Sequence, residues 1–307
     1  MKAYKGFNKD MTCKGFQYEE GKSYEMEDAK LCDHGFHACQ YPLDCLGYYA
    51  PDKSVYHVVE QENITEESGG DTKQVSSKIK IGARLDIAGL VKASVEYIRE
   101  KAEKPNSATG NQSANSATGY GSANSATGDR SANSATGYGS ANSATGDQSA
   151  NSATGDQSAN SATGYGSANS ATGNRSANSA TGDQSANSAT GYGSANSATG
   201  DQSANSATGD RSANSATGYG SVNVSTGYEC TNTSGQEDVI SVGWGKDNKC
   251  RGVIGSYLVL VERDAWDGEK YPMIGEPLLV KVDGEKIKEN VWYMLKNGAV
   301  TVIEDEN

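Results

Sequence analysis

The sequence predicts a mainly β fold, in which a central parallel β-solenoid of nonapeptide repeats lies between an N-terminal α+β domain and a small C-terminal β cap. Three observations carry that expectation. Asn-Ser-Ala-Thr-Gly recurs thirteen times at constant nine-residue spacing, from Asn106 to the copy at Asn214, and a degenerate copy follows at Asn223–Gly227. Constant phase is what stacked units require, whereas a flexible linker, the competing reading of so much Gly, Ser and Asn, has no reason to hold register. Both flanks have ordinary globular composition, and glycine is plentiful (37 residues) where Phe and Trp number only 3 each. The boundaries fall at 1–104, 105–227 and 228–307.

The N-terminal segment reads as strands at Lys2–Phe7, Gly35–Cys39, Val55–Glu60 and Val75–Ile81. A helix follows, with Asp86 as its N-cap, an apolar stripe of Ile87, Leu90, Val91, Val95 and Ile98, and Pro105 as its stop. Solenoids need caps over unpaired strand edges, so this helix is expected to cover the first coil.

Within the array, Ser-Ala-Asn-Ser-Ala-Thr can run extended, and Thr-Gly-x-x-Ser supplies a corner because glycine tolerates positive φ. The degenerate copy carries Val222 and Val224 at the first-Ala and second-Ser positions, so strand alternation is expected to turn Ala123, Ser125 and Thr127 inward and Ser122, Asn124 and Ala126 outward. The Asn column then forms an outer amide ladder. A core of Ala, Ser and Thr fills the gap between two close sheets but not a wide triangular coil. Two nonapeptides per turn are therefore favoured, giving about seven coils and about 33 Å at about 4.8 Å per layer. The intervals from Tyr138 to Tyr165, Tyr192 and Tyr219 are 27 residues, which would stack these tyrosines if three units made a turn.

After Gly227 the periodicity decays while apolar size rises, with strands expected at Tyr257–Glu262, Leu278–Val282 and Val291–Leu295 and an Asn297-Gly298 turn into Ala299–Ile303. The net charge of −12 argues against a nucleic-acid binder, which needs a basic face. No apolar run approaches the roughly 18–20 residues of a membrane span, and the first residues lack a signal-peptide core, so a soluble, cytoplasmic protein is expected.

The densest cluster of chemically capable side chains is Cys32 to Cys39, with Cys45 nearby; Cys32, His37, Cys39 and Cys45 are a conceivable zinc set, but no paired Cys-x-x-Cys knuckle accompanies them and reduced structural cysteines are the simpler reading. No phosphate-binding loop, nucleophile elbow or dinucleotide fingerprint is present, so neither catalytic residues nor a cofactor are expected. Tyr120, Tyr138, Tyr165, Tyr192 and Tyr219, with Arg130, Arg175 and Arg211, could form a recognition strip along the corners; solvated corners are the plainer alternative.

The array resembles β-roll and β-helix repeats in general, and its texture is similar to trimeric autotransporter adhesin heads, although the repeat here is shorter. It shares nine-residue length with calcium-binding toxin repeats but lacks their Gly-Gly-x-Gly-x-Asp pattern. Tyr4-Lys5-Gly6, Gly35-Phe36-His37, a possible helix at Pro42–Tyr49 and the strand Val55–Glu60 resemble the opening of ADP-ribosyltransferase-like domains. That resemblance implies a nicotinamide cofactor held by an early Arg or His, where Lys5 stands here, and a late Glu that no residue of this chain matches. The Lys-Ala-Tyr-Lys-Gly-Phe opening, the Gly-Phe-His-Ala-Cys segment and the Trp-Tyr-Met-Leu-Lys ending resemble bacteriophage and prophage proteins, which implies a setting rather than an activity. Four roles compete: a non-enzymatic protein that binds a partner such as a host defence protein; a virion, fibre or surface-adhesion component, for which homo-oligomers are expected; a DNA mimic; and an ice-binding surface.

Overall fold

The computed structural model describes residues 1–31, 33–51, 53–67, 71–101 and 106–303. It is mainly β, with 50% strand and 7% helix, and divides into two units, Met1–Ser94 and Val95–Glu304. Among the described residues no helix is long and apolar enough to cross a membrane.

In the first unit the strands are β1 (Lys2–Asn8), β2 (Thr12–Cys13), β3 (Phe16–Gln17), β4 (Ser23–Glu25), β5 (Phe36–Cys39), β6 (Ser54–Glu67) and β7 (Lys73–Leu85). The antiparallel order is β4-β7-β5-β1-β6, and β6 also pairs with β7, so the sheet curls back on itself. Ala3, Phe7, Tyr18, Phe36, Val59, Ile79 and Ile81 fill the interior. The expected Pro42–Tyr49 helix is a 3-10 turn over Pro42–Gly47. Asp86 caps helix α1 (Ile87–Lys101) by accepting the Gly89 N–H at 2.7 Å, and Leu90, Val91, Val95 and Ile98 are buried as the stripe predicts. Pro105 lies outside the described residues.

The array is a parallel solenoid of about nine turns between residues 106 and 260. Strands β8 (Asn106–Thr109) to β24 (Lys249–Gly252) alternate between two sheets: an eleven-stranded sheet I that begins at β8 and a ten-stranded sheet II that begins at β9 (Ala114–Thr118). Asn124 pairs with Asn142 and Asn133 with Asn151, so one turn takes 18 residues and the 27-residue alternative is set aside. Stacking runs past the motif: Thr231–Ser234, Ile240–Gly243, Lys249–Gly252 and β25 (Tyr257–Arg263) continue in register. At about 4.8 Å per layer the stack is about 43 Å long rather than 33 Å.

The inward face is the opposite of the one expected. Asn133, Ala135 and their equivalents are buried, while Ala132, Ser134 and Thr136 are exposed. The reason is amide chemistry. Asn142 Nδ2 donates to the Ser152 carbonyl on the opposite strand at 2.6 Å and to Asn160 Oδ1 in the next coil at 3.1 Å. The bonds repeat along both sheets, from Asn115 to Asn223 in one ladder and from Asn124 to Asn232 in the other, pairing the interior amides; among the described residues the exception is Asn124 Oδ1 at the start of its ladder, which is buried without a partner. The ladder exists as expected, but it runs through the interior. It also sets the phase at Val222 and Val224, which point outward while Asn223 and Ser225 are buried.

Corners are set by close backbone stacking. A Cβ on Gly137 would lie 2.1 Å from the Gly119 carbonyl oxygen one coil earlier, which no side chain survives. The second corner residue takes positive φ, for example Arg130 (57°) and Gln148 (58°), and glycine takes that place after each array tyrosine. Corner Asp and Asn accept the backbone N–H of the next coil, as Asp147 Oδ1 does from Tyr165 at 2.9 Å.

At the C-terminal end β26 (Met273–Lys281) lies antiparallel on β25, and the hairpin β27 (Tyr293–Lys296)–β28 (Ala299–Val302) lies on Lys249–Gly252, so both sheets end on antiparallel strands around Cys250, Leu258, Leu260, Val282, Tyr293 and Leu295. At the other end β8 and β9 are edge strands, and Asn115 is only half-buried where Asn133 is buried. Glu96 and Glu100 of α1 line a pocket with Ala123–Ser125 and Ala141–Ser143.

Candidate functional site

Three places present organised side chains. The first is a cavity of about 390 Å³ in the N-terminal unit. Alternation along β1 places Lys5 on the same face as Ala3 and Phe7, so its stem enters the core; the residue is 5% exposed. Its ammonium donates to the His37 carbonyl at 2.8 Å, approaches Cys13 Sγ at 3.5 Å and lies over the rings of Phe7 and Tyr18. The neighbouring Gly6 leaves room for Tyr49, whose ring would stand 2.6 Å from a Cβ there. Tyr49 Oη donates to Cys13 Sγ at 2.8 Å. Burial, then the Cys13 contacts, pushes the Tyr49 hydroxyl far up, so it remains a donor. Burial and then the Lys5 charge pull His37 below its ordinary value. Gly35 adopts φ 114° and packs against Ala29 and Val75, which sets the start of β5.

Three of the four segments on which the transferase-like resemblance rests, Tyr4–Gly6, Gly35–His37 and Pro42–Tyr49, thus contribute to one cavity, and among the described residues the carboxylate in its wall is Asp33. The conceivable zinc set does not assemble. Cys39 and Cys45 are buried side by side, and the Cys45 hydrogen bond together with burial raises the Cys39 thiol well above its ordinary value. His37 Nδ1 instead faces the Gly35 carbonyl, Cys32 lies outside the described residues, and no group of three metal-ligating side chains forms among those described.

The second place is the corners. With 18 residues per turn the tyrosines and arginines do not form one strip. Tyr165, Tyr219 and Arg130 fall on one corner row, and Tyr120, Tyr138, Tyr192, Arg175 and Arg211 on the other. Tyr120 and Tyr138 stack at 5.3 Å with rings 8° from parallel, and Tyr120 is 83% exposed. Arg211 is engaged by Glu229 Oε2 and Tyr192 Oη, both at 2.9 Å, and Arg130 by Gln148 at 3.1 Å.

The third is the outer face of sheet II. A shallow groove of about 800 Å³ runs over its small residues from Ala114 to Ser206. Beyond Ser206 the same outward columns turn apolar: Val224, Val242, Val259 and Leu279 are successive partners in register, beside Val222, Ile240 and Tyr257. Leu279 is 61% exposed, Ile240 and Trp244 each 37%, and the valines half-buried. The two valines of the degenerate copy were the signal for this patch, hidden while they were assigned to the core.

Residues 1–93 match the family described as Domain of unknown function (DUF7666). No curated protein and no solved structure matches the chain.

Proposed function

We propose that the chain is a non-enzymatic repeat protein that binds a protein partner on the outer face of sheet II. The observation that supports this reading is the apolar patch of Val222, Val224, Ile240, Val242, Val259 and Leu279, which stands in register on a face otherwise occupied by Ala, Ser and Thr. A stack of satisfied Asn ladders holds the patch rigid, so little ordering entropy opposes docking. Contiguous exposed apolar surface bordered by polar residues is characteristic of interaction sites. The stacked Tyr120/Tyr138 pair offers a second anchor of the type enriched in binding hot spots. In the phage setting implied by the sequence resemblance, the partner is a host defence protein met in the cytoplasm.

Replacing Val224 and Val242 by lysine tests the reading, because both side chains point outward and the Asn ladder does not depend on them. Capture of the partner from host lysate falls at least tenfold while unfolding is unchanged, on the basis that losing about 1.4 kcal/mol is tenfold in affinity. Equal capture by the double variant removes the patch from the interface. Wild-type protein that captures nothing and leaves phage restriction unaltered ends the reading. The long small-residue groove favours a second one, a rod packed against copies of itself in a virion or adhesive fibre; a stable trimer in light scattering selects it.

A further inference from the structure

We infer that the N-terminal cavity is a binding site for a small ligand combining one flat aromatic ring with one anionic group, carboxylate or phosphate. The charge arrangement leads there. Lys5 is 5% exposed, and among the described residues no carboxylate lies within ion-pair distance of its ammonium; its neighbours are a carbonyl, a thiol and two ring faces. A buried cation held only by neutral dipoles lacks the compensation that a counter-ion supplies. Lys14 and Lys73 also line the cavity, with Asp33 in its wall and Asp71 beside Tyr48. Lys73 lies 4.7 Å over the Tyr48 ring.

The rest of the wall selects the other half of the ligand. Phe16, Tyr18, Phe36, Tyr48 and Tyr49 supply flat apolar surface around the cavity. Its volume of about 390 Å³ lies near the lower end of the roughly 300–1,000 Å³ of small-molecule sites, which suits one ring system with its anionic substituent. Cys13, half-buried in the same wall, becomes a reporter of occupancy, since among the described cysteines the others, Cys39, Cys45, Cys230 and Cys250, are buried.

The test uses full-length protein and two probe pairs in calorimetric titration: adenosine monophosphate against adenosine, and 1-naphthoate against 1-naphthylmethanol. The phosphate and carboxylate arms separate the two sources of the anion. At least one anionic probe binds about tenfold or more tighter than its neutral counterpart, the low end expected of a hydrogen bond to a charged group, and Lys5→Met erases that difference. A measurement on the wild type alone guards against misfolding of the variant: the bound probe slows iodoacetamide alkylation of Cys13, read by peptide mapping. No binding by either anion, equal binding of charged and neutral members, a difference that survives Lys5→Met in folded protein, or Cys13 alkylation unaffected by saturating probe each overturns the assignment.

Discussion

Replacing Asn160 by alanine removes one rung from the middle of the sheet I ladder. In the native stack Asn160 Nδ2 donates to the Ser170 carbonyl at 2.6 Å and to Asn178 Oδ1 at 3.0 Å, while Asn160 Oδ1 accepts from Asn142 at 3.1 Å. Deletion leaves the Asn178 carbonyl oxygen and one N–H of Asn142 unpaired, while the Ser170 carbonyl keeps its place in the ladder of its own sheet. At the lower part of about 1–3 kcal/mol per unsatisfied buried group the loss is about 2–4 kcal/mol. Asn106 is the control, because its one donated bond, to the Ser116 carbonyl at 3.1 Å, lies on an exposed edge strand where water replaces it. Asn106→Ala therefore costs about 0.5 kcal/mol, the low end for an intramolecular hydrogen bond. Amide hydrogen exchange of peptides covering 150–172 reads the opening free energy of the coils themselves. A difference between the two variants below about 1 kcal/mol would refute the view that the interior amides hold the stack. Asn142→Ala with Asn160→Ala costs less than the sum of the single changes, because both delete the same Asn142–Asn160 bond.

Three further expectations use other parts of the molecule. Gly137→Ala places its Cβ 2.1 Å from the Gly119 oxygen and costs about 3 kcal/mol or more, as severe overpacking does, whereas Gly139→Ala, at φ 69° with no atom within 4 Å, costs only the roughly 1 kcal/mol of a left-handed residue; equal melting temperatures for the two would show that coil spacing is not set by the glycine column. His37 is held neutral, so its contribution to stability is complete above its ordinary pKa of 6.5 and is lost as pH falls through a lower folded value; an NMR titration shows the depressed midpoint, and Lys5→Met moves it upward unless Lys5 carries no charge beside it. Asp283 accepts the backbone N–H groups of Glu285, Lys286 and Ile287, chiefly Ile287, which holds its carboxyl below the ordinary 3.8. The ordering of that turn is therefore complete above 3.8 and is lost as pH falls through the lower folded value, and amide shifts of Glu285 to Ile287 that move with a midpoint above 3.8 would contradict it.

Much of the fold was legible in the sequence because period is a statement about backbone geometry. Constant nine-residue spacing allows one strand and one corner per unit, and the smallness of Ala, Ser and Thr points to two close sheets, which the 18-residue turn bears out. Four of the N-terminal strands were readable, whereas the short β2, β3 and β4 were not, because two or three residues leave no pattern to read. Beyond Gly227 the coils continue although the motif is lost, because Asn232 and Ser241 still accept from the preceding rungs and Ser234 meets Ser241 across the core, hydrogen bonds that composition does not advertise. The cavity was only partly visible: Lys5, Gly6, Gly35, His37 and the Pro42–Tyr49 segment stood out, but Cys13 and Phe16 join them through a short hairpin that carries no spacing signal.

The inverted faces show which physical term decides the phase of such a strand. Choosing the largest apolar side chains as the inward set assumes that hydrophobic burial outweighs everything else, and it placed Val222 and Val224 inside. In this chain an Asn in the middle of the stack donates twice and accepts once, and turning the column outward would forfeit the cross-core bond from Nδ2 to the opposite strand in coil after coil. With thirteen repeats already committed to one phase, two valines at the end of the array cannot reverse it without breaking register across the sheet. They remain outside, where Ile240, Val242, Val259 and Leu279 extend them into a surface. Their outward placement therefore follows from the ladder and not from any need of the core.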